Sequence, residues 1–179
     1  MCGHRYDGDY GELPHGYDHK YVYSHLGYNL KITDIQAAVA CAQIKKLPHF
    51  VKRRQENAAY LYKRLEDLQD VLYLPEVDEN ATPSWFGFPI TVKKAEDRDK
   101  IVQALEQNKV QTRMLFSGNM IKHPCFDEMR NSGSGYRIVG DLIDSDRTLY
   151  ETFWIGVYPG MTKEMLDYMA EVIRETVRK

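Results

Sequence analysis

A short polar segment ahead of the first predicted helix carries the side chains best suited to chemistry. Gly27, Tyr28, Asn29 and Lys31 lie close together in it. Glycine allows close backbone approach, an asparagine amide donates hydrogen bonds, and lysine adds positive charge. The segment is therefore a candidate site for an anion such as a phosphate. The alternative interpretation is an ordinary turn, because Gly-Tyr-Asn is a common turn composition.

The residues that follow predict a helix with a well-formed start. Thr33 is typical of an N-cap, and Gln36 stands where a capping-box partner belongs. The apolar side chains of a helix over 33–47, with Cys41 among them, lie on nearly every face, which predicts a buried and tightly packed helix. Pro48 then breaks or kinks the helix, because proline lacks the backbone N–H.

Beyond Pro48 the apolar pattern changes repeatedly between helical spacing and two-residue alternation. It predicts a second helix to about Leu68, strands over 71–74, 85–92, 110–116 and 153–157, and helices over 97–108, 138–152 and from a cap at Thr162. Pro89 suggests that the second strand is an edge strand or carries a bulge. The order of elements predicts an α+β domain with a small sheet covered by helices. Its core is expected to include the aromatic cluster of Trp85, Phe86, Phe88, Phe153 and Trp154.

Length and composition exclude several classes of protein. A chain of 179 residues can bury one sizeable core. Its net charge of -2 argues against a nucleic-acid partner. No apolar run approaches the roughly 20 residues of a membrane helix, and the N-terminus lacks the apolar segment of a signal peptide. Three cysteines without paired spacing favour a reducing cytoplasm, so we expect a cytoplasmic protein with no membrane partner.

Residues 1–32 do not have the composition of a folded domain. They hold six of the thirteen tyrosines and four of the six histidines, with only scattered aliphatic residues. Tyrosine offers a large amphipathic contact area, so the segment is predicted to be an arm that orders against another surface. The domain itself is predicted to occupy residues 33–179.

Several stretches of the sequence resemble one enzyme family. The pattern Gly-Tyr-Asn-x-Lys-x-Thr-Asp-x-Gln-Ala-Ala over 27–38 is similar to the DegT/DnrJ/StrS family of sugar aminotransferases and dehydratases that use pyridoxal phosphate. The resemblance is closer to its branch of CDP-6-deoxy-4-hexulose-3-dehydratases. The residues that carry this closer resemblance are 16–20, 23–29, 83–90, 112–116 with Gly118-Asn119, and 152–160. Such an enzyme is more than twice as long, and this chain resembles its C-terminal part.

The resemblance implies a fold and an activity. The fold is the small C-terminal domain of a type I aminotransferase, entered by a long broken helix, with residues 1–32 as an arm that contributes to the partner subunit's active site in a homodimer. The activity is removal of the C3 hydroxyl from a CDP-linked 4-keto-6-deoxyhexose in deoxysugar and lipopolysaccharide biosynthesis, with pyridoxal or pyridoxamine phosphate as electron sink. A reductase partner of the full-length enzyme is also implied.

Two alternatives to this activity stay open. In the dehydratase branch a histidine replaces the lysine that forms a Schiff base with the cofactor, and that position would lie upstream of Met1. With a lysine there, the protein would be a sugar aminotransferase. The second alternative is a free-standing dimerisation or binding fragment, because the chain alone is expected to lack the pocket for the cofactor ring and to be inactive.

The resemblance assigns cofactor and substrate contacts to the polar segment. Asn29 and Lys31 are expected to contact the cofactor phosphate of the partner subunit. The family usually has arginine where Lys31 stands, and lysine lacks the bidentate fork, so its contact is expected to be looser. His25 and Tyr28 are expected to bind the substrate, with the alternative that His25 contacts the neighbouring subunit.

Two arginines of the domain also receive roles from the resemblance. Arg147 is the expected catalytic residue, with the alternative that it pairs with Glu151 one helical turn later. Arg113 is expected to point toward the nucleotide of the substrate, with the alternative that it pairs with an acid.

Cys2 is the expected metal ligand. In the dehydratase branch four cysteines hold an iron-sulfur cluster, and Cys2 matches the last of them because it begins Cys-Gly-His-Arg-Tyr ahead of Gly-Tyr-Asp-His-Lys. The other three ligands would lie upstream, so this chain alone should not hold the [2Fe-2S] cluster. Cys41 is predicted to be a core residue, and Cys125 to serve packing or lie at the surface.

Overall fold

The computed structural model describes residues 6–28 and 30–178, so Cys2 and Asn29 lie outside the described residues. The chain divides into two compact units, Met1–Gln43 and Ile44–Lys179. The roles expected for residues 1–32 and 33–179 stay predictions.

The predicted capping box begins the first helix, α1 (Asp34–Ile44). The backbone N–H of Gln36 donates to Thr33 Oγ1 at 3.3 Å, and the backbone N–H of Thr33 donates to Gln36 Oε1 at 2.9 Å. Two backbone donors that the helix leaves unpaired are thus satisfied reciprocally, as the sequence predicted.

The prediction that this helix is buried is wrong for the described chain. No residue of α1 is buried; Ile35 is 80% exposed and Val39 is 58% exposed. Cys41, predicted to be a core residue, is exposed as well. The same holds for the whole first unit, since none of its described residues is buried. The physical reason is that a unit of roughly 40 residues rarely builds a core of its own.

A turn at Lys45 and Lys46 separates α1 from α2 (Leu47–Leu65). Pro48 lies in the first turn of α2, where its missing N–H would have no helical partner in any case. The predicted break is therefore confirmed, and proline acts as the start of the second helix.

The remaining α-helices and strands of the described chain follow the predicted order with one addition, the short helix α4. They are β1 (Leu72–Tyr73), β2 (Gly87–Val92), α3 (Ala95–Gln107), β3 (Thr112–Met114), α4 (Asp127–Ser132), α5 (Ile143–Glu151), β4 (Thr152–Gly156) and α6 (Lys163–Val177). The helix predicted from residue 138 begins only at Ile143. Gly140 and Leu142 have φ values of 78° and 58°, which a right-handed helix does not allow.

The four strands form one antiparallel sheet in the order β1-β2-β4-β3. The central pair places Phe88 opposite Ile155 and Ile90 opposite Phe153. β2 is thus an interior strand, and the edge position suggested by Pro89 is wrong for the strand as a whole. On its other side β2 pairs with β1 only at residues 91 and 92. No hydrogen bond between β1 and β2 therefore needs the backbone N–H that Pro89 lacks.

One face of the sheet packs against helices and holds the core of the second unit. α3 and α6 pack on each other, α2 packs on α6, and α3 also contacts β2 and β4. The largest side chains of this core are fully buried: Leu61, Leu65, Phe88, Ile90, Ile101, Leu105, Phe153, Ile155, Leu166 and Ile173. Phe86 was predicted to lie with them but is 57% exposed, because it precedes the first paired residue of β2 and packs on Trp154 instead.

We expect Leu61→Ala to lower the free energy of unfolding by about 2–5 kcal/mol, because the side chain is fully buried and its removal leaves a cavity. Urea unfolding followed by tryptophan fluorescence measures the change. Leu47→Ala is the matched control, since Leu47 is 53% exposed in the same helix, and it should change stability by much less. Equal losses in the two variants would contradict this placement of the core.

Candidate functional site

The face of the sheet opposite the core carries the polar and aromatic side chains. Because side chains alternate along a strand, Tyr73, Pro89, Trp154 and Arg113 share this outer face. Arg113 lies directly opposite Trp154 on the neighbouring strand. The sequence-predicted Arg113 is exposed, and no acid pairs with it among the residues that the structure describes.

Trp154 is held in place from three sides. A Cβ on Gly87 would come within 2.5 Å of its ring, so only glycine allows the ring to lie there. The ring of Phe86 packs on it with a centroid distance of 4.8 Å. The indole Nε1–H donates to the backbone oxygen of Met114 at 3.1 Å, which fastens the ring to the edge strand.

An open groove of about 1140 Å³ lies beside β3, and we call it the β3 groove. Lys109 and Arg113 line it, and none of its lining residues is an aspartate or glutamate. Most of the remaining lining is apolar and includes four methionines. The aromatic residues that line it are Phe86, Phe116, Trp154, Tyr158 and Tyr168.

Arg147 lies at the opposite edge of the sheet. Its Nε is 3.3 Å from Glu151 Oε2, and its guanidinium carbon is 5.1 Å from the centre of the Tyr73 ring. The hydrogen bond to Glu151, followed by one to Tyr73, raises the pKa of Arg147 above its usual value. Since Tyr73 and Arg113 belong to the two edge strands, three strand spacings, on the order of 14 Å, separate their backbones. The structure therefore does not bring Arg113 and Arg147 together.

A polar cluster that sequence reasoning missed anchors the segment after β3 to α5. The buried Asn119 donates through Nδ2 to Asp146 Oδ1 at 2.7 Å, and Lys122 Nζ lies 2.7 Å from the same oxygen. Gly118 adopts a φ of 56°, and a Cβ there would come within 2.6 Å of the Leu149 backbone. The sequence signal for this cluster was the Gly118-Asn119 pair. Gly118 permits the close approach to Leu149, and Asn119 makes the hydrogen bond to Asp146.

The site residues predicted in the first unit are exposed. Tyr28 is 94% exposed, Lys31 is exposed, and His25 is exposed with its Nδ1 2.9 Å from Ser24 Oγ. A pocket for a small ligand covers most of that ligand's surface. These side chains can therefore contact a phosphate from outside but do not enclose the ring of a pyridoxal cofactor. Asn29 lies outside the described residues.

Cysteines and histidines do not converge in the described part of the chain. No group of three or more His, Cys, Asp and Glu side chains there could hold a metal ion. Cys41 and Cys125 are free thiols and both are exposed. Cys2, the predicted cluster ligand, is not among the described residues, so its role stays a prediction. None of the helices described is long and apolar enough to cross a bilayer.

The fold and the sequence together place the chain in a class of enzymes. The profile of the DegT/DnrJ/EryC1/StrS aminotransferase family matches residues 12–174, so the chain belongs to this family. The resemblance predicted from the sequence is thereby confirmed.

Two curated relatives are similar over nearly the whole chain. The lipopolysaccharide biosynthesis protein RfbH of Salmonella typhimurium is 48% identical over 97% of this chain and 39% of its own length. A dTDP-4-dehydro-2,6-dideoxy-D-glucose 3-dehydratase of Saccharopolyspora spinosa is 45% identical over 99% of this chain and 38% of its own length. The chain thus spans about two fifths of the length of these relatives.

Two solved structures with low sequence identity share the fold. A GDP-4-keto-6-deoxymannose-3-dehydratase, solved with a trapped PLP-glutamate geminal diamine, aligns over 86% of this chain and 39% of its own, with a TM-score of 0.70 and 24% identity. DesV of S. venezuelae aligns over 89% of this chain and 40% of its own, with a TM-score of 0.73 and 19% identity. The predicted α+β fold, part of the type I aminotransferase fold, is confirmed.

We expect acid to loosen the Asn119–Asp146–Lys122 cluster. Hydrogen bonds from Lys122 and then Asn119 hold the pKa of Asp146 below its usual value. Stability from this shift is therefore present above the ordinary aspartate pKa of about 3.9, and it is lost as the pH falls through the lower folded value. Hydrogen exchange at the amides of Lys122 and His123, compared as protection factors, should show protection falling below about pH 4.

Asp146→Asn should lower the protection of these two amides already at neutral pH. Acidification should then reduce their protection less than in the unchanged chain, because the variant lacks the titrating carboxylate. Asp144→Asn is the matched control, since Asp144 is exposed in the same turn of α5. Unchanged protection in Asp146→Asn would show that this carboxylate does not hold the segment.

Proposed function

We propose that this chain is the C-terminal part of a nucleotide-sugar 3-dehydratase that uses pyridoxal or pyridoxamine phosphate. The observation that carries the proposal is 45% identity over 99% of the chain to a relative that is itself named as a 3-dehydratase. The 48% identity to a lipopolysaccharide biosynthesis protein supports a role in deoxysugar and lipopolysaccharide biosynthesis.

The proposed substrate is a CDP-linked 4-keto-6-deoxyhexose, which would lose its C3 hydroxyl. The relatives whose names state a substrate are named for sugars linked to dTDP or GDP. The choice of CDP therefore rests on the resemblance to the branch of CDP-6-deoxy-4-hexulose-3-dehydratases, which is carried by residues 16–20, 23–29, 83–90, 112–116 with Gly118-Asn119, and 152–160. To test it, the reading frame that contains this chain is expressed at full length and incubated with pyridoxamine phosphate and the CDP, dTDP and GDP sugars. A product without the C3 hydroxyl from the CDP sugar supports the proposal. Turnover of none of them would overturn it.

In the full-length protein we assign Asn29 and Lys31 to the cofactor phosphate of the partner subunit. When bound, the cofactor supplies an electron sink for loss of the hydroxyl. The exposed side chains of the first unit do not enclose its ring, so the ring pocket belongs to other parts of the full-length protein. His25, Tyr28 and Arg113 are assigned to the substrate, and Arg147 to the reacting part of the sugar.

The proposed assembly is a cytoplasmic homodimer that works with a reductase. Its support is the first unit, where Tyr23, Leu26 and Leu30 are 91%, 106% and 89% exposed and require another surface to be buried. In this proposal residues 1–32 reach the partner subunit, residues 33–179 form the small domain, and Cys2 is one of four ligands of a [2Fe-2S] cluster. Iron and sulfide analysis of the full-length protein tests the cluster. We expect both elements in the unchanged protein and a loss of both in Cys2→Ala.

A sugar aminotransferase is the alternative activity. A GDP-perosamine synthase of Escherichia coli O157:H7 is 22% identical to this chain over 165 residues, which make up 87% of this chain and 39% of that protein.

 Product analysis separates the two activities, because an aminotransferase leaves an amino group on the sugar and keeps the C3 hydroxyl. The third candidate, a binding or dimerisation fragment without activity, is tested by the isolated chain.

We expect the isolated 179-residue chain to give no product with pyridoxamine phosphate and a CDP-4-keto-6-deoxyhexose. The reason is that its described first unit does not enclose the cofactor ring, and a ligand pocket needs such enclosure. Mass spectrometry of the sugar checks the outcome, with the full-length protein as positive control. Turnover by the isolated chain above a blank without protein would contradict the expectation.

In the full-length protein, Asn29→Ala should weaken cofactor affinity by roughly ten- to a hundredfold. Losing one hydrogen bond to a charged group costs about 1.5–3 kcal/mol, which corresponds to that range. Lys31→Ala should act in the same direction and depend more on salt, since it removes a point charge. Cofactor titration monitored by absorbance measures both effects.

Lys45→Ala is the control for these variants, because Lys45 is exposed in the turn after α1. It should leave cofactor affinity unchanged. If Asn29→Ala kept its cofactor affinity but lowered the melting temperature, Asn29 would be a turn residue and the cross-subunit contact would be refuted.

A further inference from the structure

Tyr73 brings an aromatic ring to Arg147 from a distant part of the chain. The guanidinium carbon lies 5.1 Å from the centre of the ring, within the roughly 6 Å over which an aromatic face attracts a cation. Glu151 contacts the same guanidinium from the helix that carries it, with its Oε2 3.3 Å from Nε. Two side chains from different elements therefore restrict one arginine, and helical spacing accounts for only one of them.

The Tyr73 ring is itself held in place. It belongs to the edge strand β1, and Lys93 Nζ lies 4.9 Å from its centre. The Lys93 ammonium donates to the backbone oxygen of Gln69 at 2.6 Å, so the cation beside the ring is fixed as well. A rotation of the ring away from this position would separate it from both cations, and the contacts therefore favour a single orientation of Tyr73.

Glu151 is held by the strand that follows it. α5 ends at Glu151 and β4 begins at Thr152, with no residue between them. Thr152 is buried and pairs with Thr91 on β2, and the hydroxyl oxygens of these two threonines are 2.8 Å apart. Since Thr91 is also the cross-strand partner of Tyr73, both supports of Arg147 are fixed at the same point of the sheet.

The arrangement fixes the Arg147 guanidinium without using up its hydrogen-bond donors. Arginine carries several N–H donors, and the hydrogen bond to Glu151 uses the one on Nε. The side chain of Arg147 is 41% exposed, so the N–H groups on its terminal nitrogens remain accessible to an oxygen of another molecule. A donor group that is oriented before its ligand arrives needs no reorganisation during a reaction, which is what stabilisation of a transition state requires.

We propose that Tyr73 and Glu151 are positioning residues, which hold the Arg147 guanidinium in the orientation that meets the reacting part of the sugar. The proposal rests on the proposed function, because that function assigns Arg147 to the sugar. It goes further because it gives a role to Tyr73, which belongs to a different element from Arg147. The alternative is an exposed ion pair beside an aromatic ring that has no effect on the reaction, since many such pairs contribute little.

The first test uses the full-length protein and the CDP-4-keto-6-deoxyhexose. Tyr73→Leu should lower kcat by about two- to fivefold and leave KM unchanged, because the lost contact with the ring loosens an arginine that acts in the transition state. Tyr73→Phe keeps the ring and should restore kcat. The melting temperature of both variants should stay near that of the unchanged protein, since Tyr73 is 48% exposed.

Tyr150→Leu is the matched control for Tyr73→Leu. Tyr150 is also 48% exposed and also has a cation 4.9 Å from the centre of its ring, but that cation is Lys122. The control should keep both kcat and KM. The proposal would be overturned by an unchanged kcat in Tyr73→Leu, by an equal loss of kcat in the control, or by a loss that Tyr73→Phe does not restore.

The second test needs no activity. It measures by NMR the hydrogen exchange of the Arg147 Nε–H in the 179-residue chain, with the exposed Arg137 as reference. We expect slower exchange at Arg147 than at Arg137, and faster exchange at Arg147 in Tyr73→Leu and in Glu151→Gln than in the unchanged chain. Tyr150→Leu should not change it. Equal exchange at Arg147 and Arg137, or no acceleration in Tyr73→Leu, would overturn the proposal.

Failure of this proposal can be distinguished from failure of the proposed function. If the full-length protein dehydrates none of the sugars, the proposed function is wrong, and slow Nε–H exchange that Tyr73→Leu accelerates still supports the positioning of Arg147. If the full-length protein dehydrates the CDP sugar and Tyr73→Leu keeps its kcat, the function stands and the positioning role of Tyr73 is wrong.

Discussion

The pairing of β2 with β4 is the contact on which the rest of the second unit depends. Its partners are distant in the chain, as with Ile90 and Phe153. On one face this pairing places the buried side chains that α3 and α6 cover. On the other face it lays Trp154 against Gly87, and β3 then adds Arg113 beside Trp154. Core and groove are therefore two faces of one strand pair, because side chains alternate along a strand.

The two arginines of the second unit differ in what surrounds them. Arg147 is engaged by Glu151 and stacks near Tyr73, so its position is fixed by neighbours within the unit. Arg113 lies at the other edge of the sheet, in a groove without acids. Among the described residues, Arg147 thus has an acidic partner and Arg113 has none.

The first unit has a different physical character. Its helix is well capped, yet neither α1 nor the preceding described residues bury any side chain. Apolar residues at such exposure favour burial by another surface, since burial stabilises by about 25 cal/mol per Å² of apolar area. The two most similar relatives reported above are more than twice as long as this chain. Their additional residues are of sufficient number to form such a surface.

The sequence by itself determined the features that depend on near neighbours. The capping box at Thr33, the break at Pro48 and the order of strands and helices follow from local hydrogen bonding and periodicity, and the family resemblance follows from residue identity. Only the tertiary structure decided that Phe86 faces outward and that the Asn119 amide reaches Asp146. Those outcomes depend on contacts between residues far apart in the chain, and local patterns carry no information about which distant surface a side chain meets.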